Sequence, residues 1–217
     1  MADYDKLIEL DGKIKERYPN NAVLDGIVNY DVFLKTEPKI LWVLKETNIS
    51  TFKDGCFLLN DSLNEDLAGH TNWKQTWGLV IEVSDAILHK AQNWEEEVPL
   101  LERLLKEETI KKIAVINIKK SGGGSVSDQN VINDAYKEDK DIIMSQIDAI
   151  SPDIIINANH VDALFNDIKT SESQLVKLFS VAKFKNGIII NAYHPNQRSI
   201  SHEEYFELVR DCIKVIT

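Results

Sequence analysis

The stretch Ile40-Leu41-Trp42-Val43-Leu44-Lys45-Glu46-Thr47-Asn48 decides the fold. Its first five residues are apolar without alternation, and the chain then turns abruptly polar. A strand that is apolar at every position is buried on both faces, which means a parallel sheet covered by helices. Residues 113–118, 153–156 and 187–190 read the same way. Between them, apolar spacing predicts helices over 73–90, 99–107 and 128–150 and in pieces within 160–182, with two more, 5–18 and 23–34, ahead of the first strand. The last helix is the clearest: Ser201 and Glu204 form a capping box, and Tyr205, Leu208, Val209, Cys212 and Ile213 keep to one face.

Strands alternating with helices predict an α/β fold, a three-layer α/β/α sandwich with a four-stranded parallel sheet in the order 2-1-3-4. Neither an internal repeat nor a linker divides the 217 residues. One domain is expected over 1–217, with 1–38 as an N-terminal helical segment.

Charge and cysteine content narrow the function. Lys and Arg number 25 against 35 Asp and Glu, a net of -10. That balance disfavours a surface that coats nucleic acid or an anionic membrane, while leaving room for a local basic patch, because charges more than about 8 Å apart are screened at physiological salt. Cys56 and Cys212 form no CxxC and no Cys/His cluster, which removes iron–sulfur and zinc-ribbon chemistry and points to a reducing cytoplasm. The charged first 19 residues lack a signal-peptide core, and the apolar runs fall short of the roughly 20 residues a membrane helix needs. A cytoplasmic, monomeric protein with no membrane partner is expected.

In a parallel α/β sheet the ligand site forms where the C-terminal strand ends open into loops. All four runs put polar residues there: Lys45-Glu46-Thr47-Asn48, Asn117-Ile118-Lys119-Lys120, Asn157-Ala158-Asn159-His160 and Asn191-Ala192-Tyr193-His194-Pro195-Asn196. His194 suits general-acid or electrostatic work at a loop mouth, or is an ordinary loop histidine. Glu46 suits orienting water or stabilising a cation, or is a solvated strand end. Asn117, the polar residue of its strand, either ties loops together or offers a donor and an acceptor to a planar ligand edge. Lys119, Lys120 and the glycines Gly122, Gly123 and Gly124 make a basic turn able to approach a phosphate, without the order of a Walker loop, or are simply flexible. Phe57 is placed to stack on a base, whereas Trp73 and Trp77 are assigned to packing. His70, His89, His160 and His202 lack metal-ligand spacing, so no metal and no cofactor is assigned, and the absence of GxSxG argues against acyl transfer by a serine.

Taken in order, these residues resemble the uracil-DNA glycosylase superfamily. Glu46 falls where the first motif of that family carries the Asp or Asn that positions water, and Phe57 follows at the distance of the aromatic that stacks on the flipped base. Asn117 in Val115-Ile116-Asn117 matches the Asn that reads the base edge. His194-Pro195-Asn196 looks like the late His-Pro-Ser motif, continued by Gln197-Arg198-Ser199. The resemblance runs from about Lys39 to the C-terminus; with two cysteines it excludes the iron–sulfur branches. It implies a DNA base-excision glycosylase-like hydrolase, a DNA-repair enzyme that flips uracil or a deaminated base out of DNA, single strands included, and cleaves its N-glycosidic bond. Glu46 and His194 would be catalytic and Phe57 and Asn117 would hold the base, while Lys119, Lys120, Gly122, Gly123 and Arg198 would grip phosphates and, with Lys45, make the rim basic. The alternatives are a non-catalytic nucleic-acid or nucleotide binding module and a hydrolase of free nucleosides.

Overall fold

The computed structural model describes residues 2–49, 51–65, 73–124 and 126–216; His70 and Ser125 lie outside them. The chain begins with α1 (Tyr4–Arg17), β1 (Ala22–Leu24), β2 (Gly26–Ile27), α2 (Tyr30–Lys35) and β3 (Ile40–Leu44). It continues through β4 (Cys56–Leu58), α3 (Leu59–Glu65), α4 (Trp77–Leu88), α5 (Trp94–Glu97), α6 (Leu101–Lys106) and β5 (Ala114–Asn117). The last part holds α7 (Gln129–Ile150), β6 (Ile154–Asn157), α8 (Asp162–Ile168), β7 (Gln174–Val176), β8 (Phe179–Phe184), β9 (Gly187–Asn191) and α9 (His202–Ile216).

The main sheet has seven strands in the order β2-β5-β3-β6-β9-β8-β7. The inner pairs β5–β3, β3–β6 and β6–β9 are parallel, so the four apolar runs adjoin as second, first, third and fourth. The expected sheet of four parallel strands is nevertheless too small. Antiparallel β2 extends one side, antiparallel β8 and β7 extend the other, and β1 and β4 form a separate parallel pair.

Alternate residues of each inner strand enter two different cores, as period-two geometry requires. Ile40, Trp42, Leu44, Val115 and Ile156 meet α4, α6 and α9 through Leu79, Val83, Leu104, Tyr205 and Val209. Leu41, Val43, Ile116 and Ile155 meet α7, α8 and α2 through Ile132, Tyr136, Ile147, Leu164 and Phe33. The buried Trp42 indole donates from Nε1 to Ser84 Oγ at 2.9 Å, which removes the cost of an unpaired donor. Asp128 caps α7 by accepting from Asn130 N–H at 2.8 Å, and Ser201 Oγ accepts from Glu204 N–H at 3.1 Å at the start of α9.

Two expected helices are corrected. The segment 23–34 is helical only as α2, because Gly26 sits at φ +147°, outside helical space, and the side chain of Asn29 caps the helix by accepting from Val32 N–H at 3.1 Å. The N-terminal segment is therefore not wholly helical: β1 and β2 pair with β4 and β5. Within 160–182, α8 gives way to the β7–β8 hairpin, whose turn places Lys177 at φ +54°. Pairing with β9 outweighs local helical spacing there.

Candidate active site

The C-terminal ends of β3, β5 and β9, with β4 and the start of α4, border a cavity of about 460 Å³, lined by Glu46, Phe57, Asn117 and His194 together with Thr47 and Trp77. That volume falls in the range of roughly 300–1,000 Å³ found for small-molecule sites.

Glu46 continues the face of Trp42 and Leu44 past the end of β3, and its side chain is 6% exposed. Its Oε2 pairs with Lys119 Nζ at 2.9 Å, and the same ammonium donates to Gly122 O at 2.9 Å. Gly123 lies so close that a Cβ there would overlap the Glu46 carboxylate, and one on Gly122 would overlap the Phe52 ring. The two glycine amides are engaged inside the protein: Gly123 N–H donates to Thr47 O at 2.9 Å and Gly122 N–H to Asn21 O at 3.2 Å.

The expected phosphate grip is corrected accordingly. Gly122 and Gly123 serve close packing, and their donors are not free for a phosphate. Lys119 is held by Glu46. Lys120 is fully buried and pairs with buried Asp25 at 2.8 Å, so it cannot reach a ligand. Arg198 stays exposed, and Lys45 is half-buried, its ammonium making no hydrogen bond or ion pair among the described residues. The basic rim thus shrinks from four cations to these two.

Asp25 escaped sequence reasoning and is the hub behind the cavity. It accepts from Lys120 Nζ, from Asn117 N–H at 2.7 Å, from Asn117 Nδ2 at 3.4 Å and from Gln146 Nε2 at 3.1 Å. Asn117 Nδ2 also donates to Thr47 Oγ1 at 3.1 Å. Asn117 therefore does tie loops together; with its nitrogen committed, Oδ1 is the atom it can turn to a ligand. Trp77, assigned to packing, starts α4 and also lines the cavity.

His194 is fixed by its own loop. Its Nδ1 accepts from Asn196 N–H at 3.1 Å and its carbonyl accepts from Gln197 N–H at 2.9 Å, while Tyr205 OH on α9 donates to Tyr193 O at 2.8 Å. Burial, and then the charges of Lys45 and His160, push the His194 pKa down to about 4. At neutral pH the ring is uncharged, and with Nδ1 accepting, its proton sits on Nε2. Burial first, and the charge of Lys45 second, also lower the pKa of His160; burial lowers that of Lys45, with Glu46 opposing. His160 is the second signal sequence reasoning missed, although it stands at a strand end; Lys45, expected only at the rim, also acts on the His194 ring through its charge.

Among the described residues no group of three His, Cys, Asp or Glu side chains could hold a metal ion, and no helix is long and apolar enough to cross a membrane. A scan against protein-family models and a search among curated proteins find no match for this chain.

Proposed function

We propose that the cavity at the strand ends receives a single nucleobase and that the chain hydrolyses the N-glycosidic bond joining it to its sugar, in the manner of uracil-DNA glycosylases. One observation carries this reading: Glu46, Phe57, Asn117 and His194 line one cavity. In the proposed reaction the base enters beside Phe57 and offers a ring N–H to Asn117 Oδ1. The C1′–N bond breaks, its electron pair leaves with the base, and His194 Nε2–H donates to the base oxygen on which charge gathers. Glu46 holds water toward the cation-like C1′; the water oxygen forms the new bond, and its proton passes to Glu46 and then to solvent.

The substrate is a base flipped from DNA, single-stranded DNA included. The loss of Lys119, Lys120 and the glycine amides from the phosphate grip favours a second reading, a free nucleoside, which needs no polyanion groove. Base release measured by chromatography from uracil- and hypoxanthine-containing single-stranded and duplex oligonucleotides, beside uridine, deoxyuridine and inosine, distinguishes them. Release from oligonucleotides supports the first reading and release from nucleosides alone the second; no release from any of them rejects the hydrolase.

A further inference from the structure

A second cavity, of about 280 Å³, opens at the opposite edge of the sheet, where β3 and β6 begin and where the end of α4 faces α9. Pro38, Ile87, Ile154, Phe206 and Ile213 make it apolar. Its charged lining residues are all cations: Lys90, Arg210 and Lys214. In a chain of net charge -10 that sign calls for a cause. Lys90 and Lys214 are exposed and make no ion pair among the described residues.

Arg210 lies deeper. Its Nη1 donates to Gln92 O at 2.7 Å, its Nη2 to Asp211 Oδ1 at 3.3 Å, and the guanidinium sits 5.5 Å from the Phe206 ring centroid. Glu207 approaches Nη2 at 4.0 Å; neither it nor Asp211 lines the cavity. Nε is buried and has no hydrogen-bond partner. A buried donor left unpaired is costly, more so on a charged group, and Arg210 is one of the residues that line this cavity. The C-terminus of α4 would by itself oppose an anion. Its last carbonyls are already capped, however: Ala86 O accepts from Ala91 N–H at 2.9 Å and Ile87 O from Lys90 N–H at 3.1 Å.

We infer that this cavity binds a small amphipathic carboxylate, its apolar body against Ile87, Phe206 and Ile213 and its carboxylate at Arg210, flanked by Lys90 and Lys214. The site is separate from the proposed reaction and does not depend on it. Octanoate, 1-octanol and octylamine share one chain and differ in the head group, so calorimetry of each against the full chain isolates the charge. Octanoate should bind at least about tenfold tighter than octanol, and octylamine weaker than both. Lys90→Glu with Lys214→Glu, both exposed and therefore tolerable to the fold, should weaken octanoate by about tenfold or more and leave octanol unchanged. Ile87→Trp, which fills the cavity, should abolish octanoate binding. Octanoate that binds no better than octanol, binds unchanged in the charge-reversed or filled variants, or does not bind at about 10 mM overturns the inference.

Discussion

Replacing Lys120 with methionine tests the clearest reversal between sequence and structure. The Lys120 and Asp25 side chains are both wholly buried and meet at 2.8 Å. In Lys120→Met the Asp25 carboxylate keeps its bonds to Asn117 and Gln146 but loses its countercharge in a region closed to water. Breaking a buried pair from one side costs roughly 3–5 kcal/mol, a large share of the roughly 5–15 kcal/mol that holds a domain folded. With a urea m-value of about 3 kcal/mol per molar, the unfolding midpoint should fall by about 1–1.7 M. Adding Asp25→Asn removes the stranded charge while preserving an acceptor for Asn117 N–H, so the double variant should recover at least about half of the loss. Were Lys120 a solvent-facing phosphate ligand, Lys120→Met would cost under about 1 kcal/mol and act mainly on oligonucleotide binding. That outcome, with no recovery in the double variant, refutes the assignment of Lys120 to the core.

Three further outcomes are expected. His194 has its pKa lowered to about 4 from 6.5, so the stability it confers is present above about pH 6.5 and lost as pH falls toward 4, at most about 3 kcal/mol. Asp11, raised to about 6 chiefly by burial, has the opposite sign, its contribution being present below 3.8 and lost as pH rises through about 6; relative to the wild type, urea midpoints from pH 4 to 6.5 should slope downward in His194→Gln and upward in Asp11→Asn. Gly123→Ala forces the Glu46 carboxylate aside and breaks its 2.9 Å pair with Lys119, so base release should drop by about tenfold or more, with a thermal melt showing a loss of only about 1–3 kcal/mol. If single-stranded DNA binds, two free cations, Lys45 and Arg198, predict a slope of log K against log salt near -1.4, whereas four rim cations would give about -2.8; fluorescence anisotropy across a salt series decides.

The inner sheet was legible because each run is apolar at consecutive positions, a pattern that burial on one face would not need. The edges were not. β2 is two residues long, β7 is largely exposed, and neither has enough sequence for a period to register. Glu46, Asn117 and His194 could be placed together because strand ends in a parallel sheet converge on one side, a matter of topology rather than of composition, whereas Phe57, in β4 of the separate pair, was placed by its distance after Glu46. The misplaced lysines had a readable sign that went unused. Ile116 and Ile118 share one core face, and two residues further along the same face lies Lys120, so the period already pointed it inward. What no period could supply was the partner: Asp25 lies 95 positions away in sequence and meets Lys120 through long-range pairing, of β2 with β5 and of Val23 N–H with Lys120 O at 2.8 Å.

The electrostatics around His194 bear on the proposed reaction in a way that its protonation state alone does not. A neutral imidazole is a weaker donor to a departing anion than an imidazolium, which on first reading counts against it. The groups that keep His194 neutral are burial and the charges of Lys45 and His160. A positive potential that disfavours a proton on His194 equally favours negative charge at the same place, since both are the work of moving charge through one field. Of these causes Lys45 is the one that places positive charge there, since His160 has its own pKa lowered; burial, the largest, opposes an ion of either sign, and an uncharged donor forms its hydrogen bond without first paying to bury one. Glu46 fits this arrangement because it lines the same cavity as His194, whereas Lys45, one residue earlier, does not line it and acts on the ring through its charge. Adjacent residues of one strand end thus bring opposite charges near His194, which suits the proposed cleavage into an anionic base and a cationic sugar.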